Sequence, residues 1–253
     1  MDSQCTFVEQ HWQKIGLQAT EDFRTVALVN KVLKLTGPDP GLILDAGCGA
    51  GVFVVLAQRR GFSVLGVDIS TNQVRNAHAI LKSVGLPSRL VRCCAVEDLA
   101  KEEAKFGSCV ALDVLEHLEP PTGFLQTICK VLNASGKLVV SVPALPELYN
   151  ERDAVSGHYR RYDPDTLRHH LYEGGFKITH LQYWNWLGWI QTIWNRKVLR
   201  RNTDYYDFRY SNSRKAKAVN SLLRTWFSLM ENWIRPPVGL SLLVVAQPRS
   251  SDG

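Results

Sequence analysis

The sequence predicts an α/β domain wound on both faces of a mostly parallel, seven-stranded sheet, with an aromatic, basic helical insertion before the last strand. Three observations carry this prediction. Seven apolar runs of strand length are spread along the chain, most of them separated by segments of helix length, the pattern of right-handed βαβ crossovers around a parallel sheet. The first run, LILDAG, flows into a cluster of glycines, as at a tight turn from strand to helix. A long excursion rich in tryptophan and basic residues separates the sixth run from the seventh, which makes the last strand the expected antiparallel member.

Each element has its own signal. Phe23, Val26, Ala27 and Leu33 fall near helical spacing, predicting an amphipathic helix from about residue 22 to the TGPDPG break. LILDAG reads as a buried strand and VFVVLAQRRG as a helix with a glycine stop. SVLGVD is the second strand, TNQVRNAHAILKSVG the second crossover helix and SRLVRCCAV the third strand. SCVALDVLEH holds the fourth strand and its exit loop, PTGFLQTICKVLNASG a third crossover helix and KLVVSVP the fifth strand. DPDTLRHHLYEGG has an Asp-Pro start and a glycine stop, so it reads as a helix. FKITHLQYW and LSLLVVAQP complete the set. The sheet domain is expected at 1–182 and 238–253, and the insertion at 183–237.

Composition narrows the class. A chain of 253 residues suits one generous domain, or one domain with an elaboration. With 45% hydrophobic and 21% charged residues it is neither disordered nor fibrous. The opening MDSQCTFVEQHWQK lacks the layout of a signal peptide, and the late apolar stretch LLVVA is too short to span a bilayer. Six cysteines form no CxxC pair and keep no zinc-type spacing to histidine. The expectation is free thiols, a cytoplasmic protein and no metal. Charge is uneven: residues 1–150 carry 14 Lys/Arg against 15 Asp/Glu, whereas 151–253 carry 16 against 9. That excess suits an anionic partner or a solvated helix face. No nucleic-acid module accompanies it, so no nucleic acid is expected.

The glycine turn is the chemical centre. In LILDAGCGAG, Asp45 ends the first strand and Gly47, Gly49 and Gly51 follow at alternate positions. In open α/β sheets ligands bind at such strand ends. The spacing G-x-G-x-G departs from the dinucleotide G-x-G-x-x-G, and no G-x-x-x-x-G-K-[S/T] is present. An acid before the glycines is badly placed for a pyrophosphate and well placed for an ammonium and a sulfonium. Asp68 closes the second strand, where a carboxylate can accept both ribose hydroxyls. Together they point to an adenosyl ligand without phosphates. The bland alternative is that both acids merely cap helices.

In combination LILDAGCGAG, VLGVDIS, AVEDL, ALDVLEHLEPP and LNASGKLVVSVP resemble class I S-adenosylmethionine-dependent methyltransferases, in the branch that includes the ubiquinone-biosynthesis O-methyltransferases. The resemblance covers about residues 7–180 and the last strand. It implies a Rossmann-like methyltransferase fold and S-adenosyl-L-methionine as cofactor. It further implies that Asp45, Ala46, Gly47, Cys48 and Gly49 embrace the methionine end, that Asp68 and Ile69 hold the ribose, that Val96 and Glu97 border the adenine, and that Asp113 lines the methyl-bearing end. Ala95 stands where many relatives carry an acid, which leaves the adenine contact to Glu97 or to backbone.

A sulfonium methyl is already activated, so catalysis is mostly alignment and exclusion of water; a hydroxyl acceptor also gains from a base near neutral pKa. His117, in LEHLEPP, is either such a base and wall of the methyl site or a supporting loop histidine. GHYRRYD, between the fifth strand and the next helix, is similar to a lid segment in these enzymes. Under that reading Arg160 or Arg161 grips an acidic group of the substrate and His158 takes a proton. In the bland alternative one arginine pairs with Asp153 or Glu151 and the tyrosines pack beneath. The candidate catalytic set is therefore His158, Arg161 and His117.

Six of the seven tryptophans lie in the insertion or at its edge. Val219, Leu222, Leu223, Trp226, Met230 and Trp233 form a helical stripe flanked by Arg214, Lys215, Lys217 and Arg224, with Trp186, Ile190, Ile193 and Trp194 on a partner helix. Either the two helices cap the substrate pocket, or they touch a membrane surface peripherally. The expected activity is methyl transfer to a small or lipophilic acceptor, at oxygen first. The alternatives are a nitrogen or carbon acceptor on the same fold, or a relative that binds cofactor without catalysis and serves as a membrane or partner-binding protein.

Overall fold

The structure, a computed structural model, describes residues 16–197, 221–227, 231 and 233–249. Seven strands form one sheet: β1 (Ile43–Ala46), β2 (Val64–Asp68), β3 (Val91–Cys93), β4 (Phe106–Leu112), β5 (Leu132–Pro143), β6 (Phe176–Trp184) and β7 (Ser241–Pro248). Their order is β3-β2-β1-β4-β5-β7-β6. The pairs among β1 to β5 are parallel, and β7 runs antiparallel to both β5 and β6. This is the doubly wound sheet, with the antiparallel strand where it was expected.

Alternation along the strands builds two cores. Leu138, Val140 and Val142 of β5 face one layer with Leu44 and Ala46 of β1. Val139 and Ile43 face the other. The helices flanking the sheet include α1 (Phe23–Thr36), α2 (Val52–Gln58), α3 (Thr71–Ser83), α4 (Val96–Lys101), α5 (Thr122–Val131), α6 (Glu151–Val155), α7 (Pro164–Glu173) and α8 (Trp186–Lys197). Val74, Ala77, Ile80 and Leu81 of α3 join the second layer beside residues of α1 and α2. The first layer takes Leu99 of α4, Leu125 and Ile128 of α5, and Leu167 and Leu171 of α7. Each fully buried aliphatic side chain contributes about 1.5–3 kcal/mol. Polar caps fix the ends. Asp22 accepts the Thr25 N–H ahead of α1 at 3.0 Å, and Asp163 accepts the N–H groups of Asp165 and Thr166 ahead of α7.

Three differences from the sequence reading are local. The third strand is only Val91–Cys93, because 88–90 wind into a 3-10 turn. The short α4 and α6 lacked a long apolar period and went unpredicted. The third crossover helix stops at Val131, where Leu132 joins the sheet.

The insertion begins inside the sheet domain's own elements, since β6 runs through Trp184 and α8 starts at Trp186. Trp184, Phe227 and Leu243 pack with Phe23 and Ala27 of α1. Buried Glu231 accepts the Trp186 N–H at 2.8 Å and the Trp226 Nε1–H at 3.0 Å. These described parts therefore pack against α1 and the sheet, while Trp194, Leu222 and Trp233 stay exposed. The segment holding Arg214, Lys215, Lys217 and Val219, and also Met230, lies outside the described residues. Among the described residues, no helix is long and apolar enough to cross a membrane.

Candidate active site

At the carboxyl end of β1 the chain makes the turn its glycines predict. Gly47 has φ +79°, and a Cβ there would lie 2.7 Å from Val114 Cγ2; Gly49 has φ +50° and open space where a Cβ would be. An L side chain is strained at both. The Gly47 and Cys48 N–H groups donate to the Val67 carbonyl, at 2.9 and 3.0 Å, tying the turn to β2. The Gly49 N–H donates to Asp68 Oδ2 at 2.9 Å, and the Ser70 N–H donates to Asp68 Oδ1 at 2.8 Å. Asp68 thus braces the turn, and each of its oxygens keeps a second lone pair.

Asp45 is buried, 2% exposed, and its Oδ2 has no hydrogen-bond partner among the described residues. Burial, and then the Asp68 charge, push its carboxyl up to about 8. An orphaned carboxyl beside a second acid is suited to receive a cationic group. Asp45, Gly47 and Cys48 line a cavity of about 250 Å³ together with Arg24, Asp113 and Asn185. Ala46 points into the apolar layer and serves as support. Ile69 is 79% exposed directly after Asp68, an apolar surface next to the glycine turn's brace. Val96 is buried in the core, so only its backbone can serve a ligand. The Glu97 carboxylate reaches Thr127 Oγ1 of α5, at 3.5 Å.

Asp113 follows β4 with a left-handed backbone, φ +55°. It opens onto the cleft although protein surrounds it. That enclosure pushes its carboxyl up, opposed by Arg24, by the Ser141 hydroxyl donating at 3.3 Å and by His158 and His117. His117 and His158 stack edge to face, 4.6 Å between centroids. The ligand-capable atoms of Glu116, His117 and His158 lie within 4.8 Å of one another. Glu116 is fully buried with neither carboxyl oxygen partnered among the described residues, and burial and then Asp113 push it up to about 9. Local spacing displayed no metal set because His158 arrives from 41 residues downstream of His117, yet the fold gathers three donors of metal-binding type. Desolvation and the neighbouring His158 lower the His117 pKa, which favours the neutral, proton-accepting ring.

The segment holding GHYRRYD is organised around Asp153. Its carboxylate accepts Arg161 Nε through both oxygens, at 3.0 and 2.9 Å, the His158 Nδ1 contact at 3.1 Å and the Asn150 N–H at 2.9 Å. Burial alone raises this carboxyl, but Arg161 and the other donors hold it below the usual carboxylate range. Arg161 braces this segment through Nε on Asp153 and Nη1 on the Ala144 carbonyl, with Nη2 left over for a substrate group. Arg160 is likewise engaged, by Glu119 and the Leu118 carbonyl. Tyr162 is fully buried and donates its hydroxyl to the Leu115 carbonyl. His117 and His158 lie close enough to Asp113 for their charges to act on its carboxyl. Sequence reasoning missed Arg24, Asn185 and Glu116 as members of this region. Asn185 carried a signal only in retrospect, a polar residue among tryptophans, here 3% exposed with φ +66°.

A family model described as a methyltransferase domain matches residues 20–181. The human mitochondrial ubiquinone biosynthesis O-methyltransferase is 32% identical over 145 residues, covering 51% of this chain and 39% of that protein. The ubiquinone biosynthesis O-methyltransferase of Paracidovorax citrulli is 30% identical over 95 residues, covering 37% and 40%. The chain spans about two fifths of the length of these curated relatives. Among solved structures, a phosphoethanolamine N-methyltransferase from Haemonchus contortus in complex with S-adenosyl-L-methionine superposes with a TM-score of 0.56 at 20% identity, covering 88% of this chain and 52% of that one. With the family match spanning well over half of the sequence and the sheet order in agreement, the chain belongs to the class I S-adenosylmethionine-dependent methyltransferase family.

Proposed function

We propose that this protein transfers the methyl group of S-adenosylmethionine to an oxygen of a small or lipophilic acceptor. One observation carries the reading: Asp68 braces a glycine turn whose Asp45, Gly47 and Cys48 line a cavity, with the buried Asp45 carboxyl left without a partner at Oδ2 among the described residues. That donor set fits an adenosyl ligand with a cationic amino-acid end. Asp45 would take its ammonium, Asp68 its ribose hydroxyls through the remaining lone pairs, and Ile69 the adenine face. The cofactor supplies an activated methyl group. The chain supplies alignment and exclusion of water by the cap, and at His117 or His158 a nitrogen to take the proton of an acceptor hydroxyl. The names of the two curated relatives support oxygen as the acceptor atom, and the aromatic cap supports a lipophilic acceptor.

Calorimetric titration with S-adenosylmethionine and S-adenosylhomocysteine tests the pocket. Release of S-adenosylhomocysteine with phenols, carboxylates and prenylated rings tests the acceptor. Micromolar binding and turnover on an oxygen acceptor are expected. Folded protein that binds neither ligand would refute the cofactor assignment, and turnover only on amines would refute oxygen.

A further inference from the structure

The cavity of about 250 Å³ reaches past the glycine turn. Asp45, Gly47 and Cys48 line it at the end of β1, Asp113 at the end of β4, and Asn185 and Ser241 where β6 ends and β7 begins. In the sheet order β4 and β5 stand between β1 and β7. The strand ends that bound the cavity are therefore three strand spacings apart, about 14 Å. With the cofactor's amino-acid end at the turn and its methyl near Asp113, Asn185 lies on the far side of the methyl, where the acceptor must sit.

Asn185 is a fixed group. It is 3% exposed and has φ +66°, a conformation in which glycine is the unstrained residue and asparagine is tolerated. Its carbonyl accepts the N–H groups of Trp189 at 3.1 Å and Leu240 at 3.4 Å, and its Oδ1 accepts the Gly188 N–H at 3.2 Å. A Cβ on Gly188 would come within 2.4 Å of Oδ1 and 2.8 Å of Nδ2, so the amide lies where only a glycine in the first turn of α8 leaves it room. The Gly188 N–H needs an acceptor, which turns the amide oxygen toward α8. The NH2 half has no hydrogen-bond partner among the described residues. Leaving half of a buried amide unpaired is costly, so a ligand atom able to accept from it is selected.

The nature of that donor separates oxygen from nitrogen. A hydroxyl oxygen has two lone pairs, so one can accept the Asn185 N–H while the other attacks the methyl. An amine nitrogen has a single lone pair, and accepting the same hydrogen bond consumes it. We propose that Asn185 is a specificity-determining residue for methyl transfer, its Nδ2–H donating to the acceptor oxygen and refusing an amine in its place. This rests on the reading of the protein as a methyltransferase acting on oxygen. In the step, the oxygen–carbon bond forms as the carbon–sulfur bond breaks, sulfur keeps that electron pair, and the hydroxyl proton passes to His117 or His158. Asn185 keeps its own proton throughout.

The test compares 4-hexylphenol with 4-hexylaniline, which differ only in the nucleophilic atom, on the full chain and two variants. Asn185→Asp keeps an oxygen for the Gly188 N–H and loses the donor. Asn185→Gly suits the positive φ and removes the side chain altogether. Each variant should lower kcat/KM for the phenol about tenfold or more and leave aniline turnover where it was or raise it, so that the phenol-to-aniline ratio falls. Calorimetric affinity for S-adenosylhomocysteine should stay within about twofold, which also reports an intact fold. A ratio unchanged in both variants overturns the proposal, and so does a rate lost only in step with cofactor affinity, which would give the amide to the cofactor. A wild type that binds S-adenosylhomocysteine but methylates the aniline as well as the phenol also overturns it, while leaving the methyltransferase reading intact. Methylation of neither probe, with cofactor binding retained, refutes the oxygen reading itself and the proposal with it.

Discussion

The glycine turn and the GHYRRYD segment, which the sequence reading takes as a lid, are built by different means. The turn is backbone work. Consecutive residues from Asp45 to Gly49 take positions that strand register and positive φ dictate, and Asp68 arrives because β2 lies beside β1. The lid is side-chain work. Asp153, His158 and Arg161 meet through one carboxylate, and Tyr162 reaches 47 residues back to Leu115. A site made by backbone tolerates side-chain change wherever the φ values survive. A site made by a hub collapses with the hub.

The sharpest break of this contrast is Asp153→Ala. It strands a guanidinium that is 17% exposed and an imidazole. Removing one partner of a buried pair costs about 3–5 kcal/mol, so denaturant unfolding should show a loss of that order. A loss under about 1 kcal/mol would mean that the lid does not hang on this carboxylate.

His158→Ala should divide the lid's structural duty from its chemical one. The Asp153–Arg161 pair survives, so stability and cofactor affinity should change little. The chemical step should slow about 100-fold, the lower end for a general base. Single-turnover rates with a working acceptor check this. An unaltered rate leaves His117 as the remaining candidate.

This contrast also explains what the sequence disclosed. Sheet, crossovers and the acids of the turn were readable because apolar periodicity and a five-residue glycine pattern are local. The Asp153 hub was visible only as one pairing among several, since nothing in GHYRRYD says which arginine turns inward. Glu116 carried no signal of its own in LEHLEPP, and only the fold buries it close to two histidines. Arg24 and Asn185 needed the sheet to bring α1 and the end of β6 over β1.

On the turn side, Asp68→Ala removes the acceptor of the Gly49 and Ser70 N–H groups as well as the ribose partner. Two lost charge-assisted bonds predict at least a tenfold loss of S-adenosylmethionine affinity, about 1.5–3 kcal/mol, with only a small change in unfolding free energy because both N–H groups can turn to water. Unchanged affinity would sink the ribose assignment.

The mildest expected effect is electrostatic. Asp45 has a folded-state pKa raised to about 8, against about 4 when unfolded. Its burial therefore favours the folded state least once it ionises: the native chain loses stability from this group as pH rises from about 4 to about 8, and nothing further above that. Ligand binding runs the other way. A cationic ligand selects the carboxylate, so binding near neutral pH must expel a proton from Asp45, and affinity should climb through pH 8 and then level. One pH unit is worth at most tenfold, and the ribose and adenine contacts do not titrate here, so about tenfold between roughly pH 7 and 9 is the expected span. Titration in two buffers of different ionisation enthalpy reads the expelled proton directly. Asp45→Asn should flatten both the slope and the proton release; a slope that survives in that variant would assign the titrating group elsewhere, with the enclosed Asp113 carboxyl the next to substitute.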